Sequence, residues 1–208
     1  MKQFFKCVVL SLLLCVNSAE LLAEDDLSVL RVAVPSRPPG LGNPYSSLPI
    51  GAINPNHVLY DALTIIGDKG VILPGLALSW ESRGESAWVF HLRPDVAFSN
   101  GESFTAQTVV DVITYLRSKD AAGYLIAGET AMIDSASVID DLTVQINTNR
   151  PDAILPKRMS FVYMVAMKYW AEVGVDAFGL EPAGSGPFKL KDWGQTTGSY
   201  VFQRNRSS

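Results

Sequence analysis

Hydrophobic and polar positions change period several times along this chain, and each change marks an element. Ser28 to Val34 (SVLRVAV) is apolar and rich in β-branched residues, which predicts a strand. A stretch dense in Pro and Gly runs from Pro35 to Pro55 and predicts a long surface loop. Loops of that length in a compact domain are usually functional or disordered, so this one is a candidate ligand loop, with a mobile connector as the plainer reading. Asn56 can cap a short helix in which Val58, Leu59, Ala62 and Leu63 fall at helical spacing. From Leu76 the chain reads as short β units. There Trp88, Phe90 and Leu92 alternate with Val89, His91 and Arg93, as a strand with one buried face requires. Ser99-Asn100-Gly101 is a turn, because Asn and Gly tolerate positive φ. Thr105 then opens a helix of about three turns with Val109, Val112, Ile113 and Leu116 on one stripe.

The second half continues in the same mixed manner. Val138 to Leu142 (VIDDL) reads as a hairpin corner leading into the alternating Leu142, Val144 and Ile146. Beyond Asp152 the pattern predicts a short helix to Arg158, an apolar strand around Phe161 to Ala166, and a helix from Lys168 to Val173. Gly184 to Trp193 and Ser199 to Arg204 read as two strands joined by a Gly-flanked turn. Strands and helices interleave without a regular βαβ repeat. The fold class is therefore mixed α and β with substantial antiparallel pairing.

The first residues give the chain an address. Lys2 and Lys6 form a positive start, Cys7 to Val16 is an uncharged apolar run, and the small residues Ser18, Ala19 and Ala23 follow. This is the pattern of a secretory signal peptide over residues 1–23, cleaved after Ala19 or Ala23, and it predicts a periplasmic protein. The apolar run is about half of the ~20 residues a membrane span needs. A lipid anchor on Cys15 is the competing reading, and the large Leu14 before it argues against that. Both cysteines lie inside the segment to be removed, so the mature chain has no thiol for disulfides, thiolate catalysis or Cys-bound metal. The net charge is −4, and losing two lysines makes it more acidic. That balance excludes nucleic acid and anionic membrane surfaces as expected partners, since both call for basic patches. With 48% hydrophobic and only 18% charged residues, the chain can bury a core.

Catalytic chemistry has little to stand on. Gly184-Ser-Gly-Pro lacks the Gly-x-Ser-x-Gly spacing of a nucleophile elbow, so a secreted hydrolase rests on Ser185 alone. His57 and His91 are the two histidines, and neither is spaced with carboxylates as a metal site requires. His91, beside Arg93 in a strand, suits solvent better than chemistry. No phosphate-cradling loop is present, and no cofactor is expected.

Three stretches, in order, carry a resemblance. Leu76-Ala-Leu-Ser-Trp-Glu81, Trp88-Val-Phe-His-Leu-Arg-Pro-Asp-Val-Ala-Phe-Ser-Asn-Gly101 and Phe104-Thr-Ala-Gln-Thr-Val-Val-Asp111 form the longest. Gly184-Ser-Gly-Pro-Phe-Lys-Leu-Lys-Asp-Trp193 with Gln203-Arg-Asn205 is the second, and Leu41-Gly-Asn-Pro-Tyr45 the third. Together they resemble the family 5 extracellular solute-binding proteins of ABC importers, of the oligopeptide, dipeptide and nickel-binding type. The resemblance implies lobe I of a periplasmic-binding-protein type II fold. Residues 24–59 would be its first part, residues 60–164 an inserted small α+β domain, and residues 165–208 its second part. Full members are much longer, so it also implies that the second lobe is missing here. Trp80, Trp88, Phe90 and Phe98 are expected to bury their rings in the insert, each worth roughly 2 to 3 kcal/mol.

By the same resemblance, the protein captures peptides or similar small solutes by closing two lobes, then docks as a monomer on permease subunits in the inner membrane. Asn43, Pro44 and Tyr45 fall in the loop that resembles the family's ligand-facing segment. Tyr124 stands near where relatives place an aromatic residue facing the ligand, and Tyr163 and Met164 fall where the chain returns toward lobe I. Each has a plainer reading: Tyr45 covering its loop, Tyr124 capping a helix, Met164 filling the core. A truncated remnant without transport is the alternative function. A sensory domain behind a DNA-binding head is disfavoured, because a signal peptide occupies that place.

Overall fold

The computed structural model describes residues 40–46, 56–194 and 199–205. The predicted signal peptide, the strand Ser28–Val34 and most of the Pro- and Gly-rich loop lie outside the described residues. The described chain opens with α1 (Asn56–Leu59) and the hairpin β1 (Thr64–Ile66) and β2 (Ile72–Pro74). It continues through β3 (Ala77–Ser82), β4 (Ala87–Leu92), α2 (Ala106–Leu116), α3 (Leu125–Glu129), β5 (Ile133–Asp140) and β6 (Thr143–Thr148). After α4 (Leu155–Arg158) and α5 (Met167–Leu180), the hairpin β7 (Phe188–Asp192) and β8 (Val201–Arg204) follows.

A four-stranded antiparallel sheet in the order β3-β4-β6-β5 is the framework. Its register sets Phe90 opposite Val144 and Trp88 opposite Ile146. Along β6 the side chains alternate between half-buried and buried, the period that a one-faced strand imposes. The apolar stripe of α2, with Val109, Val112, Ile113 and Leu116 all buried, packs on β5 and β6. Thr105 stands before the helix in extended backbone, and its N–H donates to the Thr108 hydroxyl at 3.3 Å. Both sequence expectations for this region, the strand and the helix, are met. Of the four aromatic residues expected to bury, Phe90 and Phe98 do so completely. Trp80 and Trp88 are only half-buried, and Trp88 instead donates its indole N–H to the Asp152 carbonyl at 3.0 Å. An indole placed at an edge keeps its donor satisfied while only part of its ring leaves water.

Three local expectations are corrected. The helix starting at Asn56 lasts one turn, with Asn56 as its first residue and wholly buried. Ala62 and Leu63 leave helical geometry because their carbonyls accept from the N–H groups of Leu76 and Ala77, each at 2.9 Å. The expected strand from Phe161 to Ala166 is extended chain with a single bridge, Tyr163 to Ala62. Where a helix from Lys168 to Val173 was expected, α5 runs to Leu180 with a break at Gly174, whose φ of 81° is open to glycine at little cost. The hairpin β1-β2 had no sequence signal beyond its Gly67 to Gly70 tip.

The end of the chain is stitched back to α1. Gly186 donates to the Leu59 carbonyl at 3.0 Å, and a Cβ at Gly184 would overlap that same oxygen. Asn205 then clamps the hairpin base, its backbone N–H on Pro187 O at 2.8 Å and its amide on Gly186 O at 3.0 Å. One connected set of buried side chains runs from Tyr45 to Ala183.

Candidate ligand site

Residues 40–46 fold into a tight turn, with Gly40 and Leu41 both at positive φ. Two hydrogen bonds hold the turn in place. Gly42 donates to the Gly179 carbonyl at 2.8 Å, and the Tyr60 hydroxyl donates to the Gly42 carbonyl at 2.6 Å. The approach is close enough that a Cβ on Gly42 would run into Pro182.

The clasp fixes the three loop residues singled out by sequence. Asn43 Oδ1 accepts from the Tyr45 N–H at 2.9 Å, and its Nδ2 donates to the Tyr124 hydroxyl at 3.0 Å. Pro44 is buried in the turn. Tyr45 lies with ring centroids 6.0 Å from Tyr115 and 5.6 Å from Trp170, and its hydroxyl donates to the Tyr163 carbonyl at 2.9 Å. Tyr163 turns its own hydroxyl to His57 Nδ1 at 2.9 Å. Met164 follows, fully buried, with its N–H on the Asp61 carbonyl. The structure thus joins Asn43 to Tyr124 and Tyr45 to Tyr163, across 81 and 118 residues of sequence.

Burial divides these residues by what they can do. Tyr45 and Met164 have essentially no surface, whereas Tyr124 is half-buried and His57 is exposed. Sequence reasoning weighed His57 only as a metal ligand and did not single out Tyr60, Tyr115 or Trp170. A tyrosine at position 115, within the predicted helix but off its aliphatic stripe, was the available hint.

The site is largely uncharged at neutral pH. Burial holds the phenols of Tyr45, Tyr60 and Tyr163 above the usual tyrosine value of 10.0. Tyr115 is raised as well, first by burial, then by its hydrogen bond with Tyr124 and by the charges of Tyr124 and Asp120. His57 keeps exposed surface, but the part of its ring turned toward Tyr163 is desolvated, which lowers it from its usual 6.5 and favours the neutral imidazole at pH 7. Neutral donors and acceptors around aromatic rings suit a small organic ligand with polar groups.

Ser185 is 2% exposed and donates to Asp61 at 2.9 Å. That bond ties the β7 approach to the loop after α1. A carboxylate partner without an imidazole relay is a poor activator of a serine nucleophile. A separate open concavity of about 740 Å³ lies between the end of α5 and β7, with Asn100, Tyr169, Lys189 and Trp193 in its walls. None of the six sequence-predicted residues lines it. Among the described residues, no group of three or more His, Cys, Asp or Glu could hold a metal ion, and no helix is long and apolar enough to cross a membrane.

The sheet, its helix and the returning hairpin match a known family model, described as bacterial extracellular solute-binding proteins, family 5 middle, over residues 71–207. The chain belongs to that family. Among similar solute-binding proteins, the periplasmic oligopeptide-binding protein OppA of Escherichia coli K12 is 28% identical over 159 residues. That match takes in 65% of this chain and 28% of OppA. Di/tripeptide-binding protein 4 of Pseudomonas aeruginosa is 30% identical over 145 residues, 58% of this chain and 27% of the relative. The family 5 chain therefore spans under a third of the length of these relatives. The solved structure of NikA from Brucella suis in complex with Fe(III)-EDTA superposes with a TM-score of 0.66 at 29% identity, covering 83% of this chain and 35% of NikA. AppA of Bacillus subtilis, in complex with a nonapeptide, gives a TM-score of 0.69 over 82% of this chain and 37% of its own. At 22% identity that likeness shows the fold alone. These neighbours share the mixed α and β architecture of the described residues.

Proposed function

We propose that this chain is the ligand-capturing component of an ABC importer, taking peptides or similar small solutes in the periplasm. The observation that carries the reading is the clasped turn at residues 40–46, which hydrogen bonds from Asn43 to Tyr124 and from Tyr45 to Tyr163 hold in place in a chain of this family. Rigid loops with convergent polar groups beside aromatic rings are what small-ligand sites need. In this reading residues 1–23 direct export. Lobe I is formed by residues 24–59 and 165–208, and residues 60–164 are the inserted domain. Asn43, Pro44, Tyr45, Tyr124, Tyr163 and Met164 form or support one wall of the cleft. The partners are permease subunits in the inner membrane, and the chain acts as a monomer. OppA and the di/tripeptide-binding protein are named for peptides, which favours peptides over metal chelates.

Thermal unfolding with and without trialanine and longer alanine peptides tests this. A ligand that binds only the folded chain raises the midpoint in a saturable way. No rise with any peptide at millimolar concentration rejects the capture of peptides by this chain. A second reading, a remnant without transport, draws on the exposure of Leu180, Phe188 and Val201 along the hairpin end of the molecule. It expects that same absence of binding.

A further inference from the structure

Most of the residues at the clasped turn have no surface to offer a ligand. Asn43, Pro44, Tyr45, Tyr163 and Met164 are all buried. Asn43, Tyr45 and Tyr163 instead form the middle of a line of hydrogen bonds. Asn43 donates to the Tyr124 hydroxyl at 3.0 Å and accepts from the Tyr45 N–H at 2.9 Å. The Tyr45 hydroxyl donates to the Tyr163 carbonyl at 2.9 Å, and the Tyr163 hydroxyl lies 2.9 Å from His57 Nδ1. The line comes to the surface at its two ends, at the half-buried Tyr124 and at the exposed His57. Tyr124 is already a candidate contact. His57, in α1, is not, and the way it is held says what it can give a ligand.

The Tyr163 oxygen is 2.9 Å from Nδ1 and 3.4 Å from Nε2, so Nδ1 is its partner. A phenol is a stronger acid than the N–H of a neutral imidazole, and an imidazole nitrogen is a stronger base than a phenol oxygen. Tyr163 therefore gives the proton and Nδ1 accepts it. The bond made at one ring nitrogen sets the state of the other, so the neutral ring carries its own proton on Nε2. Tyr163 also meets the imidazole edge to face, with ring centroids 5.7 Å apart and planes at 82°, which fixes the tilt of the ring. Resting on the peptide reading above, we infer that His57 is a specificity-determining contact of the site, its Nε2–H donating to a backbone carbonyl oxygen of the ligand, with Tyr163 as the residue that positions it. A neutral donor matches an uncharged carbonyl. A ring whose in-plane lone pair is already engaged by Tyr163 does not ligate the metal of a chelate.

Calorimetric titration of the full chain with trialanine tests the contact. His57 is exposed, so replacing it leaves the buried side chains in place. His57→Ala is expected to weaken trialanine binding about tenfold, as for one lost hydrogen bond. His57→Gln, whose amide still donates, is expected to stay within about threefold of wild type. Tyr163→Phe keeps the carbonyl that holds Tyr45 and removes only the hydroxyl. It is expected to weaken binding in the wild-type chain and to add nothing in His57→Ala, because it acts through the imidazole. Wild-type affinity in His57→Ala, equal losses in His57→Ala and His57→Gln, or additive losses with Tyr163→Phe would each overturn the proposal.

A ligand-free arm separates this proposal from the peptide reading. In nitrogen-15 magnetic resonance spectra at neutral pH, the proton of His57 is expected on Nε2, with Nδ1 bare. Tyr163→Phe is expected to shift the Nδ1 signal, and equimolar nickel chloride to leave both His57 signals of wild type unmoved. A proton on Nδ1, or a His57 signal that nickel displaces, overturns the proposal whether or not peptides bind. If trialanine does not bind wild type, the peptide reading fails and the carbonyl contact falls with it, while the same spectra still decide whether His57 is held as a donor.

Discussion

Tyr45 ties three distant parts of the chain together with a single side chain. Its ring packs on Tyr115 and Trp170, and its hydroxyl satisfies the buried Tyr163 carbonyl. Removing that hydroxyl leaves the carbonyl without its donor while keeping the ring. Tyr45→Phe is therefore expected to lower stability by about 1 to 2 kcal/mol, measured as a shift of the urea midpoint at unchanged slope. Titration of the same cluster gives stability a limit at each end of the pH scale. His57 has a folded value below its ordinary 6.5, so the unfolded chain takes up its proton first. Its contribution is complete above pH 6.5 and is lost as pH falls through the lower folded value. The phenols of Tyr45, Tyr60, Tyr115 and Tyr163 are raised above 10.0, so the unfolded chain releases those protons first. Their contribution is complete below pH 10 and is lost as pH rises beyond it. Unfolding midpoints across pH should fall at both ends, and His57→Gln should flatten the acid side only.

At the scale of elements, α5 is held at its start by a residue far away in sequence. The N–H groups of Lys168 and Tyr169 both donate to the Glu102 carboxylate at 3.3 Å, one to each oxygen. A carboxylate at a helix N-terminus satisfies orphan donors and opposes the positive end of the helix dipole. Glu102 follows the Asn100-Gly101 turn, so that turn does more than reverse the chain: it presents the cap. Because α5 carries Trp170 against Tyr45, the cap also steadies the clasped loop. Glu102→Ala is expected to cost about 1 kcal/mol of stability in chemical denaturation, and Glu102→Gln less than that. Equal stability of Glu102→Ala and wild type would show that the contact contributes nothing in water.

Nearly all the buried apolar side chains of the described residues form one connected set, from Tyr45 in the loop to Ala183 before the hairpin β7-β8. The proposed inserted domain, residues 60–164, contributes most of it, yet Tyr45, Trp170 and Phe178 belong to the flanking segments. A shared core unfolds as one unit, so urea unfolding followed by tryptophan fluorescence and by far-ultraviolet circular dichroism should give coincident single transitions. Two separated transitions would mean that residues 60–164 fold by themselves and that the contacts with α5 are secondary.

Much of this architecture was legible in the sequence, for reasons that differ from element to element. Strand β4 and helix α2 have side chains whose period alone selects a strand and a helix, and both formed as expected. The loop at Asn43 to Tyr45 stood out through its Pro and Gly, and the return at Tyr163 through resemblance. The one-turn end of α1, the hairpin β1-β2 and the burial of Tyr45 had no such local mark. Each depends on a partner far along the chain: Leu76 and Ala77 for the carbonyls of Ala62 and Leu63, Tyr163 for the Tyr45 hydroxyl. The sequence by itself determined the mixed class, the aromatic-rich strand and its helix, and the family, because those depend on residues close together in the chain. Tertiary structure alone decided which polar groups meet, that Tyr45 is buried, and that Tyr124 keeps part of its surface. A hydrogen bond across 81 or 118 residues leaves no periodic trace in either segment it joins.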